Sequence, residues 1–201
     1  MRRLIFAGPF MAAALFLTAG SAQAAEICGS CDYIPGAVGT GTYIGTYNPD
    51  TFDLGTFQHV GVTNGTAIDD RWVFDVAPPG SGSVSADFTA AAVFSGFTGA
   101  LYHAGAGTTC GGAVPSACTA AVIGGLVAGD QNGSAAQVET GIVNLAAGRY
   151  VFQLLGTANG AAGQGTYTGQ IATFNIPVPE PAFLSLLGIG LAAAARRRRK
   201  A

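Results

Sequence analysis

Ser83-Val84-Ser85-Ala86-Asp87-Phe88-Thr89-Ala90 alternates apolar and polar residues without a break, so an extended backbone sets Val84, Ala86, Phe88 and Ala90 on one face and the polar set on the other. The same two-residue period recurs at 42–47, 52–62, 71–76, 98–103, 137–145, 150–155 and 165–176. Turn-forming clusters separate these runs: Asn48-Pro49-Asp50, Thr63-Asn64-Gly65, Pro78-Pro79-Gly80-Ser81-Gly82, Asp130-Gln131-Asn132-Gly133 and Ala147-Gly148. The apolar stretch 119–129, interrupted by Gly124-Gly125, reads as a further strand. About eight short strands at this spacing, with no capped amphipathic helix between them, predict an all-β domain, an antiparallel β-sandwich or jelly roll.

Composition supports a folded domain. Residues 25–177 are rich in Gly, Ala, Thr and Ser, yet aromatics such as Tyr43, Phe57, Trp72, Phe97, Tyr150 and Phe174 are spread along them, unlike a disordered chain. About 150 residues is the usual size of one domain with one core. Of the nine Lys and Arg, seven (Arg2, Arg3, Arg196, Arg197, Arg198, Arg199, Lys200) lie at the chain ends. Arg71 and Arg149 alone face ten of the eleven acids, Glu180 being the other, so residues 25–177 carry a net charge of −8 although the whole chain carries −2. A lysine-free acidic domain cannot pair with phosphates, which excludes nucleic acid as a partner and disfavours acidic polymers. Calcium, cationic surfaces and neutral glycans remain open.

The N-terminus has the layout of a secretory signal peptide. Met1-Arg2-Arg3 is a positive start, residues 4–18 are apolar, and Ala22-Gln23-Ala24 supplies small residues for cleavage between Ala24 and Ala25. At the other end stand Val178-Pro179-Glu180-Pro181, the uncharged run 182–195, and the basic stop Arg196-Arg197-Arg198-Arg199-Lys200. The prolines end any strand that reaches them, and the cations should stay cytoplasmic. As a helix the fourteen residues of the apolar run would span roughly 20 Å, short of the ~30 Å hydrocarbon core, which favours a transient anchor over a permanent one. The expected division is therefore signal peptide 1–24, β-sandwich 25–177 and sorting segment 178–201 with a short hydrophobic helix.

These three parts in this order resemble the PEP-CTERM sorting signal of Gram-negative bacteria. The resemblance implies that a membrane-embedded exosortase, a cysteine transpeptidase, recognises the motif, cuts nearby, and releases or attaches the protein at the cell exterior. On that reading this chain is the substrate. Leu101-Tyr102, 145–150 (Leu-Ala-Ala-Gly-Arg-Tyr) and 165–169 (Gly-Thr-Tyr-Thr-Gly) also look like the FxDxxF-type group of such proteins. Its naming motif would fall at 68–74, where an aspartate is kept, the first phenylalanine is missing, and Asp70 to Phe74 is one residue too long.

Cys28-Gly29-Ser30-Cys31 and the pair Cys110 and Cys118 make an even count, which in an exported chain reads as disulfides. Three connectivities exist, and the local one, 28 with 31 and 110 with 118, is preferred because each pair is close in sequence. A redox Cys-x-x-Cys would open a helix, which Asp32-Tyr33-Ile34-Pro35-Gly36 does not offer. A four-cysteine zinc ribbon needs a tighter second pair.

Catalytic motifs are missing. His59 and His103 have no serine or cysteine at recognised spacing, and each sits in an alternating run as a strand histidine would. A carboxylate pair from Asp50, Asp53, Asp69, Asp70, Asp75 and Asp87 could in principle serve a glycosidase, but Asp69-Asp70 reads as the solvated start of a strand. Asp130-Gln131-Asn132-Gly133-Ser134 alternates oxygens as a calcium loop does; the downstream bidentate glutamate is absent, and an Asn-Gly hairpin explains the same residues. The expectation is an exported, non-catalytic protein of the cell surface or extracellular polysaccharide matrix, such as a biofilm, without cofactor or metal, membrane-anchored before exosortase processing. The alternative is a glycan-binding module in which exposed Tyr43, Tyr47, Trp72 or Tyr102 stack on sugar rings, calcium-assisted or not.

Overall fold

A computed structural model describes residues 28–48, 53–90, 94–131, 137–159 and 164–174, with the side chains of 79–90, 164 and 174 left undescribed. The signal peptide, the sorting segment, Asp50 and Asn132 to Ser134 therefore lie outside the described residues.

The described chain is all β. Its strands are β1 (Cys31–Asp32), β2 (Gly41–Tyr47), β3 (Asp53–Thr63), β4 (Ala67–Ala90), β5 (Phe94–Ala104), β6 (Thr109–Cys110), β7 (Ser116–Ala120), β8 (Ile123–Gly129), β9 (Gln137–Glu139), β10 (Val143–Ala158) and β11 (Gln164–Phe174). The hydrogen-bonded path runs β1-β3-β11-β4-β10-β5-β8, mostly antiparallel; β1 on β3 and β2 on β4 are parallel.

Two long strands turn this path into a sandwich. The first part of β4 pairs with β2 on one side and, from Ala67 to Val76, with β10 on the other. Its second part pairs with β11, from Ser83↔Phe174 to Ala90↔Tyr167. Between them the β4–β10 register breaks, Val76 opposing Gly148 and Ser81 opposing Ala146. A strand that changes sheets in this way makes the corner of a two-layer packing. Pro78-Pro79-Gly80 and Ala147-Gly148, expected as turns, are these corners: proline costs least where the ladder is already interrupted, so β4 continues through it. The expected strand at 137–145 is instead split around Gly141, whose φ of +64° suits glycine. Residues 119–129 likewise divide into the end of β7 and β8. Thr63-Asn64-Gly65 forms the expected turn, with Gly65 at φ +83°.

Alternation along β4 decides what is buried. Ile68, Asp70, Trp72, Phe74 and Val76 point between the layers, where Trp72 lies 4.8 Å from the ring of Phe57 on β3 and Phe74 5.5 Å from Tyr47 on β2. From β10, Tyr150, Phe152 and Leu154 join them; from β11, Tyr167 and Ile171. Val73 points the other way, with Tyr43, Val151, Cys118 and Ala121, into a smaller apolar cluster covered by β6 and β7. Cys110 is disulfide-bonded to Cys118, its cross-strand partner, and Cys28 to Cys31.

Tyr43, Tyr47 and Trp72 are thus not a sugar-stacking face. Tyr47 and Trp72 are fully buried and Tyr43 retains 7% of its surface, because each falls on a core-facing position of its strand. Tyr102 is half-buried.

Candidate functional site

The end of the sandwich where β3 turns into β4 holds a cleft of about 370 Å³, lined from both strands and from the segment 33–38 laid across them. Three local features build it. Gly165 opposes Val62 while Tyr167 opposes His59, so β3 carries one extra residue there, with Gly61 at φ +76°. Such a bulge resets the two-residue phase and turns both His59 and Val62 toward the cleft. The segment after Cys31 is tied down by Tyr33 N–H donating to Gln58 O (2.8 Å), Ile34 N–H to Thr42 Oγ1 (2.9 Å) and Gln58 Nε2 to Asp32 Oδ1 (2.8 Å). Tyr33 then stands over the site, its ring 4.9 Å from His59 and 5.3 Å from Trp72.

Beneath it is a buried polar chain. Asp70, 3% exposed, accepts hydrogen bonds at Oδ2 from His59 Nδ1 (2.5 Å) and from the Tyr167 hydroxyl (2.6 Å), and Trp72 Nε1 donates to that hydroxyl (3.1 Å). A carboxylate accepts only, so the Nδ1 proton of His59 is committed to Asp70. Asp69 points away from the core: Arg71 donates to both its oxygens and Gln153 Nε2 to Oδ1 (2.6 Å). Burial works against ionisation of Asp69, but the bonds from Arg71 and Gln153 prevail and hold its carboxyl below the usual range.

Burial and then the charge of Asp70 push the Tyr33 phenol up to about 12. The same two causes push Tyr167 well above its ordinary value, and burial does so for Tyr47. These phenols bind their protons more tightly folded than unfolded, where the pKa is about 10, so their stabilisation is complete below pH ~10 and is lost as pH rises through the folded values. Between pH 10 and 12, tyrosinate absorbance from Tyr33, Tyr47 and Tyr167 is expected to grow only in step with loss of near-UV circular dichroism. Their ionisation near pH 10 with the dichroism intact would contradict the packing described.

The residues singled out in the sequence divide as follows. Asp69 and Asp70 do face opposite sides of β4, but Asp70 is not solvated: alternation places it in the core beside Trp72. Asp75 lies on the other face, held by Arg149 Nε (2.7 Å) and Nη2 (2.8 Å) and by the Tyr43 hydroxyl (2.9 Å). Asp53 accepts from Asn48 N–H (2.7 Å), and Asp87 has no described side chain. His103 is exposed, packed on Tyr150 at 5.1 Å. Asp130 Oδ1 accepts from Glu139 N–H (3.2 Å), and among the described residues no group of three His, Cys, Asp or Glu could hold a metal. Tyr33 was missed, because the segment 33–38 has no periodicity to mark it.

The described residues make this an all-β sandwich with a buried aromatic core and a polar cleft at one end. The chain carries the PEP-CTERM protein-sorting motif at residues 177–200, and is thereby an exosortase-targeted exported protein, membrane-anchored before processing. That match spans the sorting segment and does not reach 68–74. No curated protein matches the chain. Among solved structures it is similar to the pre-peptidase C-terminal domain of collagenase from Bacillus anthracis, at 16% identity over 63% of this chain and 91% of that one, with a TM-score of 0.34.

Proposed function

We propose that the β-sandwich is a non-catalytic component of the cell surface or of an exopolysaccharide matrix such as a biofilm, delivered there by its sorting segment. The observation that carries this is the sorting motif at 177–200 on an acidic, disulfide-bonded sandwich. The non-catalytic reading is supported by the described cleft lining, which among these residues offers His59 no serine or thiol to activate, all four cysteines being in disulfides. Fractionation tests it: the mature protein should sediment with matrix polysaccharide and be released when that polysaccharide is digested. Recovery as free protein in the medium, unchanged by digestion, would overturn matrix residence.

A glycan-binding module is the second reading. It no longer rests on Tyr43, Tyr47 or Trp72; Tyr33, half-buried at the mouth of a cleft with hydrogen-bonding groups, is the aromatic that supports it. A glycan array without binders, with and without calcium, would remove it.

A further inference from the structure

We propose that the cleft between β3, β4 and the segment 33–38 binds a small organic cation, an alkylammonium or alkylguanidinium group, with Asp70 as its counter-ion. Both hydrogen bonds that Asp70 accepts fall on Oδ2, and no described residue donates to Oδ1, although Asp70 lines the cleft and is 3% exposed. Asp70 Oδ1 is not among the buried atoms left without a partner and opens onto the cleft, where it can accept from a donor, best a charged one. Beyond His59 Nδ1, already held at Oδ2, no described residue brings a cation to Oδ1. Residues 25–177 contain no lysine. Arg149 is held by Asp75 on the far face, and Arg71 is spent on Asp69 and on Ala121 O (2.8 Å). Asp69 is paired with Arg71 and points away from the core, whereas Asp70, paired with His59 at Oδ2, turns Oδ1 to the cleft.

The rest of the cleft suits the body of such a ligand. Val62, Ile68 and the fully exposed Val38 offer apolar surface for an alkyl chain, and Tyr33, kept as a neutral phenol, presents a ring on which a cation can rest. A volume of about 370 Å³ is at the small end for ligand sites and admits one side chain or one sugar unit. The net charge of −8 on residues 25–177 draws cations toward it and repels anions.

Titration of the exported domain with n-butylammonium, and with glucosamine against N-acetylglucosamine, is the test. The two sugars differ at the nitrogen, charged in one and acylated in the other. Saturable binding of butylammonium and glucosamine with a Kd on the order of millimolar is expected, weakening as salt rises, with N-acetylglucosamine at least about tenfold weaker. Asp70→Asn should weaken butylammonium binding at least about tenfold, and Val38→Arg, which sets a guanidinium at the rim of an otherwise unchanged fold, at least about fivefold. If Asp70→Asn does not fold, Val38→Arg decides. Equal binding of the two sugars would show a neutral polyol site, and absence of saturable binding, or unchanged affinity in a folded variant, would overturn the proposal.

Discussion

Trp72→Ala is expected to cost the domain about 3–5 kcal/mol, the range for deleting a large buried aromatic. Trp72 is fully buried at the point where the two layers meet, packed on Phe57 at 4.8 Å and edge-on to Tyr33 at 5.3 Å. Its removal leaves a cavity that neighbouring strands, fixed by their ladders, cannot collapse to fill. It also takes the indole N–H from the Tyr167 hydroxyl, within a chain of hydrogen bonds ending at a buried carboxylate. Against a total stability of about 5–15 kcal/mol this is a large share, and a fall in Tm on the order of 10 °C is expected. Trp72→Phe separates the contributions, since it keeps most of the volume and loses the donor; about 1–2 kcal/mol is expected there. Denaturant unfolding measures both. A loss below about 1 kcal/mol for the alanine variant would mean that Trp72 is not at the centre of the core.

The strands were legible because the domain is built from residues whose two-residue period survives nearly everywhere, as in the run Ile68, Asp70, Trp72, Phe74, Val76. That run also contained the sign that Asp70 is buried. A strand confined to 71–76 leaves the two aspartates as its solvated approach and hides that sign. A strand begun at Ala67 puts Asp70 on the core face at once. Its partners were not visible in the same way. His59 reaches it only through the bulge at Gly61, and Tyr167 lies 97 residues away on the strand that β3 and β4 share as a neighbour.

Local composition misled in two other places. Pro78-Pro79-Gly80 has the chemistry of a turn, yet the long-range pairing of β4 with β10 and then β11 carries the strand through it as a bend. Aromatic residues on strands look like a binding face in the sequence, but a small domain with little aliphatic bulk fills its core with them. The second cluster, around Val73 and Val151, left only a weak trace: the positions opposite Trp72 and Phe152 are apolar rather than polar.

The largest effect is expected at the sorting segment. The motif at 177–200 marks the chain for exosortase processing, and its Pro-Glu-Pro stretch is the part proposed to be engaged by the enzyme, ahead of the apolar run and the cations. Replacing Pro179, Glu180 and Pro181 by alanine removes the fixed backbone and the carboxylate together while sparing the anchor. The variant should be exported and then remain membrane-bound with its basic tail, at the expense of essentially all processed product. Tm and disulfide content should be unchanged, because the core residues and all four cysteines lie before the replaced positions.

The most direct measurement is the intact mass of the protein recovered from outside the inner membrane of its native host. A mass lacking residues 1–24 and the terminal Arg196 to Lys200, absent from a strain without exosortase, is the predicted result. Recovery of the exterior protein with its terminal arginines, or of the chain in the cytosol alone, would contradict the account.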